Sequence, residues 1–236
     1  MIKKSRRRNR TKKRRIQRGG NHTTVYPPES INNYIRHILY LNLDSRPDRK
    51  AQMEKELQVF KNAHIQRVPG VVSEFKDIKH RTLEITKSHM NALKIARDAK
   101  WPNVLILEDD AIWANIERAY PAFQNLVQKP YDVIMLGSQR PKYNKDNFRV
   151  EDAYGAHGYL VNGSFYNVFI QKLEELISKF DPKKPGYIED EIDTMVFRSL
   201  QKEYIWYAVI PSLINQLPGF SSRLAKESDY RHVEPK

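Results

Sequence analysis

The stretch VLILEDDAI, residues 104–112, decides the fold prediction because it changes abruptly from apolar to acidic. Four apolar residues precede three consecutive carboxylates, Glu108, Asp109 and Asp110, and apolar Ala111 and Ile112 follow them. A short apolar run of this kind is typical of a buried strand in a parallel sheet. Such sheets bind their ligands beyond the carboxyl ends of the strands. The stretch therefore predicts a central strand that carries a carboxylate cluster to a ligand site.

Strand-like and helix-like segments alternate around this central strand. The segment HILYLNL (37–43) is β-like and is followed by a charged segment in which Met53, Leu57 and Phe60 recur at helical spacing. A short strand, HIQRVPGVV, and a helical pattern, RTLEITKSHMNALKIARDAK, come before the acidic strand. A helix around residues 115–128, a strand DVIML and a polar loop over 137–147 follow it. This order predicts an α/β fold with a mostly parallel central sheet flanked by helices.

The rest of the chain continues the same pattern without an internal repeat. AYGAHGYLVN is strand-like, SFYNVFIQKLEELISKF and EDEIDTMVFRSLQKE are helical, and YIWYAVIPSL predicts a final strand. We therefore expect a single domain over residues 34–236. Residues 1–33 are expected to form a basic disordered arm and a linker rich in Gly, Pro, Asn, Ser and Thr.

The net charge of +13 is concentrated in the first twenty residues, which hold 11 Lys or Arg and no acid, leaving +2 for the remainder. Such an arm is most simply interpreted as a solvated tail or an electrostatic tether. Non-specific contact with polyanions through residues 1–20 and nuclear targeting are the alternatives. No apolar run approaches the ~20 residues of a membrane span, so a soluble, cytoplasmic protein is expected. Cysteine is absent, and any metal must be held by oxygen or imidazole ligands.

The acidic cluster itself suggests a hard divalent cation. Alternation along extended backbone places Glu108 and Asp110 on one side and Asp109 on the other. Two converging carboxylates suit Mg²⁺ or Mn²⁺, which leave coordination positions for substrate phosphates. The alternative is that one of these acids caps the next helix. The pattern alone fits a nuclease, a phosphatase or a nucleotidyltransferase equally well.

Several segments, taken in order, resemble glycosyltransferase family 25, which includes lipopolysaccharide glycosyltransferases and procollagen galactosyltransferases. The segments that carry the resemblance are YLNLDSRPDRKAQM, SHMNAL, LILEDDAI, YGAHGYLVN, EIDTMVF and PSLINQLPGFSS, which together span roughly residues 37–222. Two departures stand out. RTLEITK occupies the place of the family's Gly-Glu-Ile-Gly-Cys, and SSRL lacks the acid of its closing Ser-Asp-Ile.

The resemblance implies a GT-A-like fold, a UDP-sugar donor and inverting transfer of a hexose, glucose or galactose, to a hydroxyl of a glycan or protein acceptor. It implies Mn²⁺ or Mg²⁺ as cofactor, with Asp110 as the first metal ligand and Glu108 assisting through water or through the ribose hydroxyls of the donor. Asp109 is a weaker candidate for the donor site. Arg46 and Arg49 would meet the nucleotide or diphosphate, because Arg offers fixed donors to phosphate oxygens; the alternative is that they are helix-surface charges.

The transfer also requires a base that accepts the proton of the acceptor hydroxyl. Asp193 fits the family position, and Asp190 and Glu191 are alternatives, although an acid-rich helix start explains all three equally simply. Further donor-site candidates each have a structural alternative, such as a buried histidine bonded to backbone or a tight turn. They are Asn42, Ser88, His89, His157 and Gln216.

Two other functions remain open at this level. One is a nucleic-acid-associated or scaffold protein on a decayed transferase fold, which the basic arm and the missing motif residues favour. The other is a metal-dependent phosphoesterase, which the acidic cluster allows, although no second acidic and histidine cluster suggests paired metals. Short basic arms containing RGG also suggest an origin in a large DNA virus, and hence a location in the host cytoplasm or virion.

Overall fold

The computed structural model describes residues 25–75, 77–181, 183, 192–222 and 224–228. Its strands are β1 (His37–Asn42), β2 (His64–Pro69), β3 (Asn103–Glu108), β4 (Ala111–Trp113), β5 (Val133–Met135), β6 (Gln139–Tyr143), β7 (Val150–Tyr154), β8 (Gly158–Asn162), β9 (Trp206–Ala208), β10 (Ile214–Gln216), β11 (Gly219–Ser221) and β12 (Lys226–Ser228). Its α-helices are α1 (Pro47–Glu56), α2 (Ile78–Asp98), α3 (Ile116–Leu126), α4 (Tyr166–Ser178) and α5 (Arg198–Glu203). Short 3₁₀ segments cover Glu29–Asn33, Leu57–Val59 and Gly163–Phe165, and a π-helical segment covers Ile192–Phe197.

The central sheet has the strand order β2-β1-β3-β8-β5-β9. The pairs β1 with β2, β1 with β3, and β5 with β9 are parallel, which confirms the predicted α/β class with a mostly parallel sheet. β8 is antiparallel to both of its neighbours, β3 and β5. Apolar patterning predicted this strand but not its direction, because periodicity is the same for either orientation.

Two apolar layers cover the sheet, one on each face. In β1, Leu39 and Leu41 pack in a layer with α2 and α4, whereas Ile38 and Tyr40 pack in the opposite layer with α1 and α3. The alternation follows from the two-residue period of a strand. β3 is buried on both faces, as its continuous apolar run predicted.

Three predicted elements differ from the structure. The polar loop over 137–147 contains β6, which forms an antiparallel hairpin with β7. The predicted final strand YIWYAVIPSL contains only one short strand, Trp206–Ala208. The chain turns after Ala208, and β10 then pairs with β4 beside the acidic cluster. The helix expected over 189–203 begins, within the described residues, as a π-helical segment and becomes α-helical only at Arg198.

The packed part of the chain begins before residue 34. Ile31, in the 3₁₀ segment Glu29–Asn33, is fully buried, and the Ser30 hydroxyl is hydrogen-bonded to that of Tyr120 at 2.7 Å. Ile31 therefore packs in the core, although it belongs to a segment that the composition predicted to be a linker. Residues 1–24, and with them the basic arm, lie outside the described residues. Among the residues described, no helix combines the length and apolar character needed to cross a bilayer.

Candidate active site

A cleft of about 450 Å³ lies beyond the carboxyl ends of β1, β2 and β3. This is where a doubly wound sheet is expected to bind its ligand. The cleft brings together residues that are up to about 180 positions apart in the chain. It is lined by every predicted site residue that the structure describes, namely Asn42, Arg46, Arg49, Ser88, His89, Glu108, Asp109, Asp110, His157, Asp193 and Gln216. The remaining two candidates, Asp190 and Glu191, lie outside the described residues.

The three consecutive acids all line this cleft, which corrects the prediction that Asp109 points away from the other two. Strand β3 ends at Glu108, and Asp109 and Asp110 form a turn that leads into β4. Because the backbone is no longer extended there, the alternation of side chains between two faces does not continue past Glu108. The turn therefore brings the three carboxyl groups together in the lining of the cleft.

Asp110 is the most perturbed of these acids. Its Oδ2 atom lies 3.9 Å from Nη1 of Arg49 and accepts a long hydrogen bond of 3.5 Å from Nε2 of Gln216. Its Oδ1 atom is buried and has no hydrogen-bond partner among the described residues. Burial and the negative charge of Glu108 together raise the pKa of Asp110 to about 7, against a smaller opposing effect of Arg49.

Arg49 carries a positive charge next to Asp110. The residue belongs to α1 and is only 6% exposed, and its Nη1 atom also has no hydrogen-bond partner within the described part of the chain. A buried donor without a partner costs roughly 1–3 kcal/mol, and more when it is charged. Asp110 and Arg49 thus form a loose ion pair, and Oδ1 of Asp110 and Nη1 of Arg49 each lack a hydrogen-bond partner among the described residues.

Asp109 is held in place by a network that starts at the end of β1. Nδ2 of Asn42 donates to Oδ2 of Asp109 at 2.8 Å and to the backbone oxygen of Arg46 at 3.1 Å. Nε of Arg67 donates to Oδ1 of Asn42 at 2.9 Å. Burial raises the pKa of Asp109, and the Asn42 hydrogen bond opposes this effect. Asn42 therefore orients Asp109, and its predicted contact with the donor remains a prediction.

Glu108 is in contact with a fully buried histidine. Nε2 of His89 lies 3.4 Å from Oε1 of Glu108, and Nδ1 of His89 lies 2.7 Å from the hydroxyl of Tyr159. Burial raises the pKa of Tyr159 well above its usual value, so its hydroxyl keeps the proton. His89 is buried, as one alternative expected, but its partners are side chains rather than backbone.

Ser88 has a structural role in this arrangement. Its hydroxyl donates to the backbone oxygen of Glu84 at 2.8 Å and accepts from the backbone nitrogen of Val71 at 2.9 Å. A second link forms between the Glu84 carboxylate and the backbone nitrogen of Ser73 at 2.6 Å. Together these bonds fasten the segment after β2 to α2. A direct contact between Ser88 and a donor remains a prediction.

Asp193 enters the cleft from the π-helical segment, and its Oδ2 atom accepts a hydrogen bond of 2.9 Å from the backbone nitrogen of Gly155. His157 packs beside it, so closely against Gly137 that a Cβ there would lie 2.1 Å from its Nε2 atom. Burial lowers the pKa of His157 and favours the neutral ring. Its Nδ1 atom has no hydrogen-bond partner among the described residues.

Arg46 and Gln216 connect the acidic turn to the C-terminal part of the chain. The Arg46 guanidinium bonds the Asp48 carboxylate at 2.8 and 2.9 Å, lowering the pKa of Asp48 to about 2. Its Nη1 atom donates to the backbone oxygen of Phe220 at 3.2 Å and to Oγ of Ser222 at 3.3 Å. Oε1 of Gln216 accepts from Nε2 of Gln139 at 2.8 Å.

Sequence reasoning missed several residues that support this site, among them Arg67, Tyr159, Gln139 and Gly155. Gly155 and Tyr159 lie in the quoted segment YGAHGYLVN, but their roles depend on partners that are distant in the chain: Tyr159, for example, lies 70 positions from His89. Arg67 and Gln139 have no local signal. A motif can identify the residues at the strand ends, but not those that fold against them.

No protein-family model and no curated protein sequence matches the chain. Among solved structures, it is similar to a glycosyltransferase involved in the glycosylation of the major capsid of PBCV-1, at 10% identity and a TM-score of 0.44, over 74% of this chain and 81% of that one. It is also similar to a protein of STIV, at 11% identity and a TM-score of 0.34, over 82% and 93% of the two chains. Sequence identities and TM-scores this low do not establish a function for the chain. Membership of glycosyltransferase family 25 and a viral origin therefore remain predictions.

Proposed function

We propose that the protein is a metal-dependent inverting glycosyltransferase that transfers glucose or galactose from a UDP-sugar to a hydroxyl of a glycan or protein. The observation that carries this proposal is the pair of unsatisfied buried atoms in the cleft, Oδ1 of Asp110 and Nη1 of Arg49. An anionic oxygen of this kind is satisfied by a cation, and a guanidinium nitrogen by a phosphate. A metal-bound diphosphate supplies both partners at once.

The chemistry of the acids fits Mn²⁺ or Mg²⁺. Within the described residues, no group of three or more His, Asp or Glu side chains is arranged as a complete metal site. Mg²⁺ is commonly held by one or two carboxylates, with water and substrate phosphates as its other ligands, and Asp110 and Glu108 are suited to that role. When bound, the cation would stabilise the negative charge that develops on the departing diphosphate.

The chain's own residues would bind and orient the donor. Arg49 is positioned to donate to the diphosphate, because its guanidinium is buried beside the acidic turn and is not consumed by an internal hydrogen bond at Nη1. Asn42 and His89 keep Asp109 and Glu108 in their orientations. Such preorganisation lowers the free-energy cost of stabilising charge during the reaction.

Asp193 is the proposed base. The acceptor oxygen attacks the anomeric carbon from the side opposite the leaving group, its proton passes to the Asp193 carboxylate, and the bond between that carbon and the diphosphate oxygen breaks. The electron pair of that bond leaves with UDP, and a single displacement inverts the configuration. The Gly155 hydrogen bond orients the Asp193 carboxylate for this transfer.

A donor screen tests the proposal. UDP-glucose, UDP-galactose, UDP-N-acetylglucosamine and GDP-mannose are each added with Mn²⁺ or with EDTA, and nucleotide release and thermal unfolding are measured. We expect UDP release and a raised Tm with one UDP-hexose, only when the metal is present. Asp110→Asn and Arg49→Lys should each reduce both signals, whereas Asp146→Asn, which removes an exposed carboxylate outside the cleft, should reduce neither.

Two results would contradict the proposal. One is hydrolysis of a phosphodiester with no nucleotide release from any sugar nucleotide, which would favour the phosphoesterase alternative. The other is the absence of any metal-dependent donor effect, combined with nucleic-acid binding that is lost when residues 1–20 are deleted. That combination would favour the scaffold alternative.

A further inference from the structure

An aromatic side chain, Phe75, stands half-exposed at the mouth of the cleft, on the segment between β2 and α2. The exposed fraction of Phe75 is 50%, and that of Val72, which lines the same part of the cleft, is 66%. Isolated exposed apolar residues are common, but two of them side by side in the lining of a concave site suggest contact with a ligand. Neither Phe75 nor Val72 has a role in the proposed transfer reaction.

The ring of Phe75 is held in a defined orientation. One of its faces stacks on the His80 ring, with a centroid distance of 4.1 Å and an interplanar angle of 19°. His80 is fixed in turn, because its Nδ1 atom lies 2.6 Å from Oδ2 of Asp77, the N-cap of α2, and its edge contacts Phe180. The aromatic ring is therefore ordered before any ligand arrives, and binding on its other face would cost little conformational entropy.

The residues around the cleft belong to elements on two sides of the sheet. Arg49 belongs to α1, whose apolar residues pack in the layer with α3. Phe75 stacks on His80 of α2, and Asp193 lies in a segment whose apolar residues pack in the layer with α2 and α4. The aromatic ring and the proposed base are thus both carried by the side of the fold that lies away from α1.

We propose that Phe75 is a stacking platform for a sugar ring of the acceptor, and that the acceptor is an oligosaccharide rather than a monosaccharide. This inference rests on the proposed function. An apolar ring face suits the carbon–hydrogen face of a pyranose, and the side shared with Asp193 assigns that pyranose to the acceptor. Phe75 stacks on His80, whereas His89, which contacts Glu108, lies nine residues further along α2. That separation corresponds to a rise of about 14 Å, which exceeds one sugar ring. An acceptor that reacts beside the acidic turn and also stacks on Phe75 must therefore contain several units.

The test compares acceptors of increasing length. Glucose- and galactose-terminated saccharides of one to five units are used as acceptors with the wild type and with Phe75→Ala. We expect the KM for the longer acceptors to rise about tenfold in the variant. The KM for the monosaccharide, the KM for the donor and kcat should stay within about twofold. Phe75→Tyr retains a flat ring and should restore the wild-type values.

Phe220→Ala is a matched control, because Phe220 is 47% exposed and also lines the cleft, where its backbone oxygen accepts a hydrogen bond from Arg46. It should leave the dependence of KM on acceptor length unchanged. The inference is overturned if Phe75→Ala raises the KM for the donor instead, which would make the ring a nucleobase platform. It is equally overturned if acceptors of all lengths are affected alike or not at all.

A binding measurement separates this inference from the proposed function. In Phe75→Trp the change in fluorescence relative to the wild type, which already contains three tryptophans, reports on saccharide binding without donor or metal. Quenching that increases with saccharide length supports the platform even if no donor is turned over, in which case only the transferase proposal fails. Efficient transfer with no length-dependent quenching supports the transferase and refutes the platform.

Discussion

Asp110→Asn should stabilise the metal-free protein above pH 7 while abolishing metal-dependent donor binding. In the folded chain, burial and the neighbouring acids raise the pKa of Asp110 from 3.8 to about 7. In the unfolded chain the carboxyl loses its proton near pH 4, whereas in the folded chain it keeps the proton until near pH 7. Raising the pH between these values therefore lowers the free energy of unfolding, and the whole loss is present above pH 7.

The magnitude follows from the displacement of the pKa. A change from 3.8 to about 7 corresponds to at most about 4 kcal/mol. Solvent screening makes the actual loss of stability smaller, because the Asp110 side chain is 21% exposed. The asparagine side chain has the same size and carries no charge, so the variant avoids the penalty. A gain of about 2–4 kcal/mol is a large part of the 5–15 kcal/mol typical of a domain.

The assay is urea unfolding in EDTA at several pH values between 4 and 8, for the wild type, Asp110→Asn and the exposed control Asp146→Asn. The free energies of unfolding of the wild type and Asp110→Asn should be similar at pH 4 and diverge as the pH rises. Addition of Mn²⁺ with the active UDP-sugar should then stabilise the wild type and Asp146→Asn, but not Asp110→Asn. Equal stability of the two proteins at pH 8 would refute the argument that Asp110 is a buried acid without a sufficient counter-charge.

Three further variants test individual parts of the site. Asp193→Asn should lower kcat by about 10²–10⁴ while the Kd of the donor stays within about twofold, and an unchanged kcat would exclude Asp193 as the base. Arg49→Lys should raise the Kd for UDP with Mn²⁺ by about 10–100-fold, because the ammonium group cannot reproduce the planar donors; calorimetry that shows no change would place the diphosphate elsewhere. Tyr159→Phe removes the hydrogen bond to His89 and should weaken binding of the UDP-sugar with Mn²⁺ about tenfold, as measured by equilibrium titration. The control Tyr207→Phe, which lies outside the cleft, should leave this binding unchanged. Equal effects of the two variants would mean that Tyr159 only stabilises the fold.

The strand ends are the part of the site that the sequence could predict. The apolar runs before Asn42 and Glu108 identified β1 and β3, and parallel neighbours must present their carboxyl ends at one edge of the sheet. Arg46, Arg49 and the acids follow those strands directly, so their convergence was foreseeable. The acidic turn was not, since a strand pattern does not reveal the residue at which extended backbone ends.

Contacts between distant segments required the structure. The bond between Arg46 and the Phe220 backbone joins residues 174 positions apart, and Gln216 reaches Asp110 because β10 pairs with β4. Neither contact has a local signature. Ser88 illustrates the converse: it belongs to a recognisable motif, yet its hydroxyl is already engaged with Val71 and Glu84.

The sequence by itself determined which strands are buried, that Glu108, Asp109 and Asp110 emerge where one of them ends, and that any metal here must be held without thiolates. These properties depend on composition and short-range periodicity, which the chain carries locally. Only the tertiary structure decided the antiparallel direction of β8 and the burial that leaves Asp110 and Arg49 with unsatisfied atoms. Strand direction and burial depend on how distant segments pack, and solvent exclusion, which perturbs the charges, exists only after that packing is complete.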